Sequence, residues 1–221
     1  MSLESRKNTI DDPGHELVDQ VTSFWDRYGR IVLVAVVAIA AIAAASYFVL
    51  QSKARQDNTA SEKLAEANTL FWQGDYARSK TAAQEVSKQY GGTPSGIDAL
   101  RIAGDDAYWT GDWKGAITDY REYLKRNGSG PVSDAVRRSL AYALESDKQY
   151  AEAAKLFDQL VGVFDRESSA EFLASSARCY MALSKPAEAK TRLQRLIDEF
   201  GESSYAVPAR LTLGTIEPPK E

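Results

Sequence analysis

The chain has 221 residues, with 27 basic and 31 acidic side chains and a formal net charge of −4. This balance, without a long basic run, excludes binding to nucleic acid through clustered lysine and arginine. The single cysteine excludes a disulfide framework and a cysteine-rich metal site, and the single histidine excludes most histidine-dependent catalysis.

Residues 1–30 form a short tail that we predict to contain an amphipathic interfacial helix. Asp12 and Pro13 are typical of a helix start, with Asp as the N-cap and Pro at the first helical position. Apolar and aromatic side chains then recur at helical spacing, which favours a helix in the lipid headgroup layer; a docking helix for another membrane protein is the alternative. The predicted membrane-interface residues are Leu17, Phe24, Trp25 and Tyr28.

Residues 31–50 form an apolar block, IVLVAVVAIAAIAAASYFVL, in which Ser46 is the only non-hydrophobic residue. As a helix, the block would be about 30 Å long, which matches the hydrocarbon core of a bilayer. A cleavable signal peptide is the alternative, but its N-terminal region would be 30 residues long and would carry six acidic residues. We therefore predict a retained transmembrane helix.

The two flanks of this block carry similar numbers of basic residues, so local charge gives little orientation. The part of the chain after the block is far longer than the loops that obey the positive-inside rule, and such domains are translocated largely regardless of charge. We expect a cytoplasmic N-terminus and an exported C-terminal body.

The body shows helical periodicity throughout and repeats itself every 36 or 37 residues. Four segments share one pattern: GDYARS (74–79), GDWKGA (111–116), KQYAEA (148–153) and SKPAEA (184–189). Each ends in a small residue, has another small residue twelve positions earlier, and has larger residues four and seven positions later in most repeats. The earlier small residues are Ala67, Gly104, Ala141 and Ala177, and one further period reaches Gly214. Such spacing predicts antiparallel helix pairs that pack closely.

This register resembles the tetratricopeptide repeat. The resemblance implies an all-α fold: one transmembrane helix, then a tetratricopeptide-like α-solenoid of about four helix pairs plus a closing helix. The domains are then the tail 1–30, the transmembrane helix 31–50, a linker 51–57, the solenoid 58–216 and a disordered C-terminal tail 217–221. The match is good at the small residues and the turn aromatic, and poor at the consensus Trp and Pro.

The complete layout is similar to the ancillary subunit family of the bacterial Sec translocon. Asp19-Gln20-Val21, Phe24 and Tyr28-Gly29 carry this resemblance in the tail. It implies a protein of the bacterial inner (cytoplasmic) membrane that spans it once, with a periplasmic body near the translocon and periplasmic chaperones.

No catalytic, cofactor or metal site is predicted, and no small-molecule substrate. His15 lies before the apolar block, so no Ser–His or Cys–His relay can form within 51–221. Asp105, Asp106 and Asp112 lack the spacing of a calcium loop. We interpret Cys179 as a packed small residue rather than a reactive thiol.

A partner protein is expected in the groove that the first helix of each pair lines in this family. Asn68, Arg101 and Arg138 fit a basic cradle, although the full carboxylate-clamp pattern is missing. Arginine and tyrosine in such a groove suit recognition of a protein or peptide; a solvated groove without a ligand is the alternative. The predicted groove residues are Asn68, Phe71, Arg101, Asp105, Tyr108, Arg138, Tyr142, Glu145, Arg178 and Met181.

Two functions remain open, and both are non-catalytic. The first is a membrane-anchored scaffold whose periplasmic repeats bind proteins during translocation or envelope assembly. The second is a structural subunit that stabilises a large energy-transducing or photosynthetic membrane complex from its periplasmic face. A membrane-attached enzyme is a third possibility, which the missing catalytic residues oppose.

Overall fold

The computed structural model describes the backbone of residues 13–216 and the side chains of residues 18 and 20–216. In this part of the chain the protein is all-α, with nine helices and no strand, as predicted. The helices are α1 Pro13–Trp72, α2 Tyr76–Tyr90, α3 Pro94–Trp109, α4 Trp113–Arg126, α5 Pro131–Ser146, α6 Tyr150–Leu160, α7 Arg166–Ala182, α8 Pro186–Glu199 and α9 Ala206–Ile216.

The chain divides into two units, Met1–Ala54 and Arg55–Glu221. The first contains the apolar block, whose large side chains are all exposed except that of Val32, and α1 is long and apolar enough to cross a membrane. Residues 51–57, predicted as a linker, are helical because they contain neither Pro nor Gly. The disordered tail predicted at 217–221 lies outside the described residues, as do the first twelve residues of the tail.

The second unit confirms the predicted helix pairs. The end of α1 and α2 form the first pair; α3 with α4, α5 with α6 and α7 with α8 form the others, and α9 closes the array. Helices that follow one another from α2 to α9 pack together, and α3 also contacts α5.

One residue in each turn within a pair adopts a left-handed backbone, which ends the first helix. Gly74 and Gly111 have φ of +81° and +77°, whereas Lys148 and Ser184 adopt φ of +63° and +58° in the same register position. Glycine adopts this conformation without steric cost, which explains the Gly-Asp pair in the first two repeats. In those two repeats the aspartate that follows caps the next helix by accepting a hydrogen bond from its third residue.

The core follows the predicted register. The four small residues that end each pattern are fully buried, and so are the larger residues seven positions later. At Gly104 the approach is close, since a Cβ placed there would lie 2.6 Å from Cε1 of the buried Tyr120. The fifth position of this register is different: a Cβ at Gly214 would meet no described atom within 4 Å.

Candidate functional site

The predicted groove residues lie on the first helices of the four pairs, at the end of α1 and on α3, α5 and α7. All ten side chains are at least partly exposed, as residues that line a surface must be. Their accessibility does not show what they bind. Their contacts differ sharply from one end of the groove to the other.

Arg101 is held by two carboxylates of its own helix. Its Nε and Nη2 donate to Asp98 at 2.7 and 2.9 Å, and its Nη1 donates to Asp105 at 3.2 Å. These neighbouring charges help to raise the pKa of Arg101, although burial acts in the opposite direction. The positive charge assigned to the basic cradle is therefore neutralised locally, and this group of three side chains carries a net negative charge.

Asp105 also connects α3 to α4. The hydroxyl of Tyr120 donates to Asp105 Oδ1 over 2.7 Å, while the ring of Tyr120 is 1% exposed. Burial raises the pKa of Asp105, and burial together with the adjacent carboxylate raises the pKa of Tyr120. The pair thus places a carboxyl group and a phenol hydroxyl at the base of the groove.

A cavity of about 180 Å³ lies beside this pair. It brings together three of the predicted groove residues with three that the sequence did not select. Tyr120 lies four residues after Ala116, where the register predicts a large packing residue, and Ser139 belongs to no motif. Trp109 carried a usable pattern, because it lies one period after Trp72 and follows Tyr108 directly. The lining residues are Asp105, Tyr108, Trp109, Tyr120, Ser139 and Tyr142.

Aromatic side chains form an exposed edge in the first two repeats. Trp72 is 83% exposed and Trp109 is 61% exposed. The ring of Tyr76 stacks on Trp109 with centroids 6.0 Å apart, and Tyr108 packs edge-on against Trp113 at 4.9 Å. Exposed tryptophan is typical of binding surfaces, because the indole offers a large apolar face and a polar edge.

In the last two pairs, hydrogen bonds and ion pairs bridge successive first helices. Arg178 donates to both carboxylate oxygens of Glu145, over 2.5 and 2.8 Å. The hydroxyl of Tyr142 donates to Glu171 over 2.5 Å. The guanidinium of Arg138 lies 5.3 Å from the ring centroid of Phe164. Arg138, Tyr142 and Glu145 of α5 are therefore all engaged, the last two with residues of α7.

A second and more apolar cavity of about 520 Å³ lies among α7, α8 and α9. Arg178 and Met181, both predicted groove residues, contribute to it, and Met181 is 40% exposed. Leu193, Tyr205 and Ala209 form further parts of its wall. At the opposite end of the groove, Asn68 is half-buried and Phe71 packs edge-on against Tyr76 at 5.4 Å.

The membrane-interface residues are exposed where the structure describes them. Phe24 and Trp25 are 54% and 55% exposed, and the rings of Phe24 and Tyr28 lie 5.2 Å apart. The side chain of Leu17 lies outside the described residues, as does that of His15.

Among the described side chains, no group of three or more His, Cys, Asp or Glu is arranged to hold a metal ion. Cys179 is fully buried, and burial raises the pKa of its thiol to about 12, so the reactive thiolate is disfavoured at neutral pH.

Comparison with protein families gives two matches. The family model described as tetratricopeptide repeat-like domain matches residues 22–177, which is more than half of the chain and includes the apolar block. A tetratricopeptide repeat model matches residues 176–203. No curated protein gives a sequence match to the chain.

Solved structures share the fold at low sequence identity. A Podosopora anserina protein described as a kinesin light chain, with nearly identical TPR-like repeats, is 16% identical with a TM-score of 0.57; the alignment covers 71% of this chain and 84% of that chain. A tetratricopeptide repeat protein from Parabacteroides merdae is 14% identical with a TM-score of 0.61, covering 72% of this chain and 60% of that chain. Such identities support the fold and leave function to be argued from the site.

Proposed function

Because the chain belongs to the tetratricopeptide repeat-like domain family, we propose that it is a non-catalytic, membrane-anchored scaffold whose helical body binds another protein through its groove. Repeats of this kind suggest a scaffold for protein–protein interaction. The observation that carries the proposal is the exposed aromatic and charged surface along the first helices, beside a cavity large enough for a side chain.

The anchor is residues 31–50. Within this block, every large apolar side chain except Val32 is more than half exposed. Exposed apolar surface of this extent needs an apolar solvent, which a bilayer supplies. The family match also includes the block, which favours a retained helix over a cleaved signal peptide.

We place the N-terminus in the cytoplasm and the body in the periplasm of a bacterial inner membrane. Long C-terminal domains are exported largely regardless of local charge. A reporter that is active only outside the cytoplasm, fused after Glu221, should be active. A silent reporter, or a mature N-terminus close to Ser46, would contradict this topology.

The process we propose is protein translocation or envelope assembly. Its support is the tail, in which Asp19-Gln20-Val21, Phe24 and Tyr28-Gly29 resemble the ancillary Sec-translocon subunit. The partners are then periplasmic proteins or the translocon itself. We propose the boundaries predicted from the sequence: the tail at 1–30, the anchor at 31–50 and the solenoid at 58–216.

The second candidate, a structural subunit of a large membrane complex, is favoured by one observation. Phe24, Trp25 and Tyr28 are exposed on α1 just before the apolar block. Aromatic residues there can anchor a helix at the membrane interface, or pack against a neighbouring membrane protein.

Two paired substitutions separate these candidates. Arg138→Ala with Tyr142→Ala removes groove side chains, whereas Phe24→Ala with Trp25→Ala removes the exposed aromatic pair of α1. Each variant is purified in a mild detergent, and its co-purifying proteins are identified by mass spectrometry. The scaffold proposal expects loss of partners from the first variant only. Loss from the second variant only would favour the complex subunit, and loss from neither would contradict both.

A further inference from the structure

We propose that the cavity between α3, α4 and α5 binds a cationic side chain, an arginine or a lysine, presented by the partner polypeptide. The inference deepens the proposed function and rests on it, because three of the residues that line the cavity belong to the predicted groove. A basic cradle would select an anionic ligand, whereas this cavity would select a cationic one.

Aromatic rings supply most of the cavity wall. Tyr108, Trp109, Tyr120 and Tyr142 all line it. The faces of such rings carry partial negative charge and attract cations within about 6 Å of the ring centroid. The hydroxyls of Tyr120 and Tyr142 already donate to carboxylates on the protein. The ring of Tyr120 is buried, so the aromatic surface offered to a ligand comes chiefly from Tyr108, Trp109 and Tyr142.

A carboxylate lies among these rings. Asp105 accepts one hydrogen bond on each oxygen, from Tyr120 at 2.7 Å and from Arg101 at 3.2 Å. Because a carboxylate offers about four lone-pair positions, it can accept further hydrogen bonds from a guanidinium or an ammonium group. Arg101 is shared with Asp98, so it does not neutralise both carboxylates.

Size and charge restrict the ligand further. The cavity of about 180 Å³ is small beside the pockets of about 300–1,000 Å³ that hold drug-sized molecules, which favours a single side chain. An anionic ligand would meet the Asp105 carboxylate, while an uncharged apolar one would leave it desolvated. A cation bound against the rings would pair with the Asp105 carboxylate and contact the aromatic faces that line the cavity.

Short peptides test this inference on the full chain in detergent micelles. Three are used: acetyl-Gly-Gly-Arg-Gly-Gly-amide, its lysine analogue, and the analogue in which citrulline replaces arginine without the charge. Saturation-transfer NMR, followed by titration, gives the dissociation constant of each peptide for each variant.

Matched variants separate the cavity from its surroundings. Asp105→Asn removes the cavity charge but keeps an acceptor for Tyr120, and Asp134→Asn removes a carboxylate of α5 that pairs with Arg137 and does not line the cavity. Trp109→Ala removes part of the wall, and Trp72→Ala removes the equivalent tryptophan one period earlier. Melting temperatures of all four variants verify folding, and the two exposed tryptophans give a test even where Asp105→Asn weakens the fold.

At least one cationic peptide should bind, and the citrulline peptide should bind about tenfold more weakly or not at all. Trp109→Ala, and Asp105→Asn where it folds, should weaken cationic binding by a similar factor, while Asp134→Asn and Trp72→Ala leave it within about twofold. The cationic peptide that binds more tightly shows whether the cavity prefers a guanidinium or an ammonium group. Equal binding of citrulline, no binding of either cation, or equal binding by the Trp109 and Trp72 variants would overturn the inference. The scaffold proposal would survive that result if the Arg138 and Tyr142 variant still loses its partners.

Discussion

The apolar block and the helical body use the same residue types in opposite ways. In residues 31–50, Ile39 and Leu50 are 67% and 68% exposed, whereas Leu144 and Phe157 in the body are fully buried. The block is apolar on every side, while each helix of the body interrupts its apolar positions with polar ones. The pattern, more than the content, of apolar residues determines whether a helix needs lipid or another helix.

Charged substitutions in the apolar block should have the largest effect, because they should abolish its association with the membrane. Val37→Arg with Ala41→Arg places two cations near its middle, at a cost of about 5 kcal/mol or more for membrane insertion. The variant should leave the carbonate-resistant membrane fraction while the body keeps its melting temperature. Gln51→Arg with Ser52→Arg, just outside the block, is the control and should remain in the membrane. Retention of the Val37 and Ala41 variant would show that the block is not the anchor.

A buried carboxylate is the body's own exception to the rule that its interior is apolar. Asp106 is 0% exposed, and its carboxylate oxygens accept no hydrogen bond from the described residues. Burial raises the pKa of Asp106 from 3.8 to about 6, against the opposing influence of Ser79 and Lys80. Ionisation therefore opposes folding, and the folded chain binds a proton that the unfolded chain releases between these two values.

Asp106→Asn should remove the cost of ionising this buried side chain. The stabilising proton is fully present below pH 3.8 and is lost as the pH rises through about 6. The free energy of unfolding of the variant, taken relative to that of the natural chain, should therefore be higher at pH 7 than at pH 4. The pKa shift corresponds to a difference of up to about 3 kcal/mol. Thermal unfolding of both chains at the two pH values measures the gain. A difference independent of pH would contradict the account.

The two glycines of one register position test close packing within the body. Gly104→Ala should destabilise the fold by about 1–3 kcal/mol, because the new methyl meets the buried ring of Tyr120. Gly214→Ala should instead stabilise the last helix by up to about 1 kcal/mol, since its Cβ has open space around it among the described residues. Melting temperatures that move in the same direction for both variants would contradict the assigned register.

Substitutions in the turns should have the smallest effects on stability. Lys148→Gly and Ser184→Gly should each raise stability by about 1 kcal/mol, because both residues adopt a left-handed backbone that glycine accepts freely. Gly74→Ala and Gly111→Ala, at the equivalent turns, should lower it by a similar amount. Thermal unfolding checks all four changes, and stabilisation by Gly111→Ala would show that the turn does not need this conformation.

The sequence predicts the helix pairs because packing repeats every 36 or 37 residues and leaves its mark on each repeat. Local ion pairs such as Asp98–Arg101 follow from spacing within one helix. Contacts between helices do not: Tyr120 reaches Asp105 and Arg178 reaches Glu145 only because separate helices meet at a particular angle. The register thus predicts that the chosen groove residues lie on first helices, and their role in binding stays a prediction, whereas the cavity and its charge required the structure.

Photo-crosslinking from the groove tests the scaffold account most directly. A photoreactive phenylalanine derivative replaces Tyr142 or Trp109 in the groove, or the exposed Thr118 or Gln159 on second helices, in the full chain within its own membrane. The account predicts a discrete protein adduct from the two groove positions and none from Thr118 or Gln159. Adducts formed only from the second helices, or from none of the four positions while Phe24 and Trp25 variants lose their complex, would contradict it.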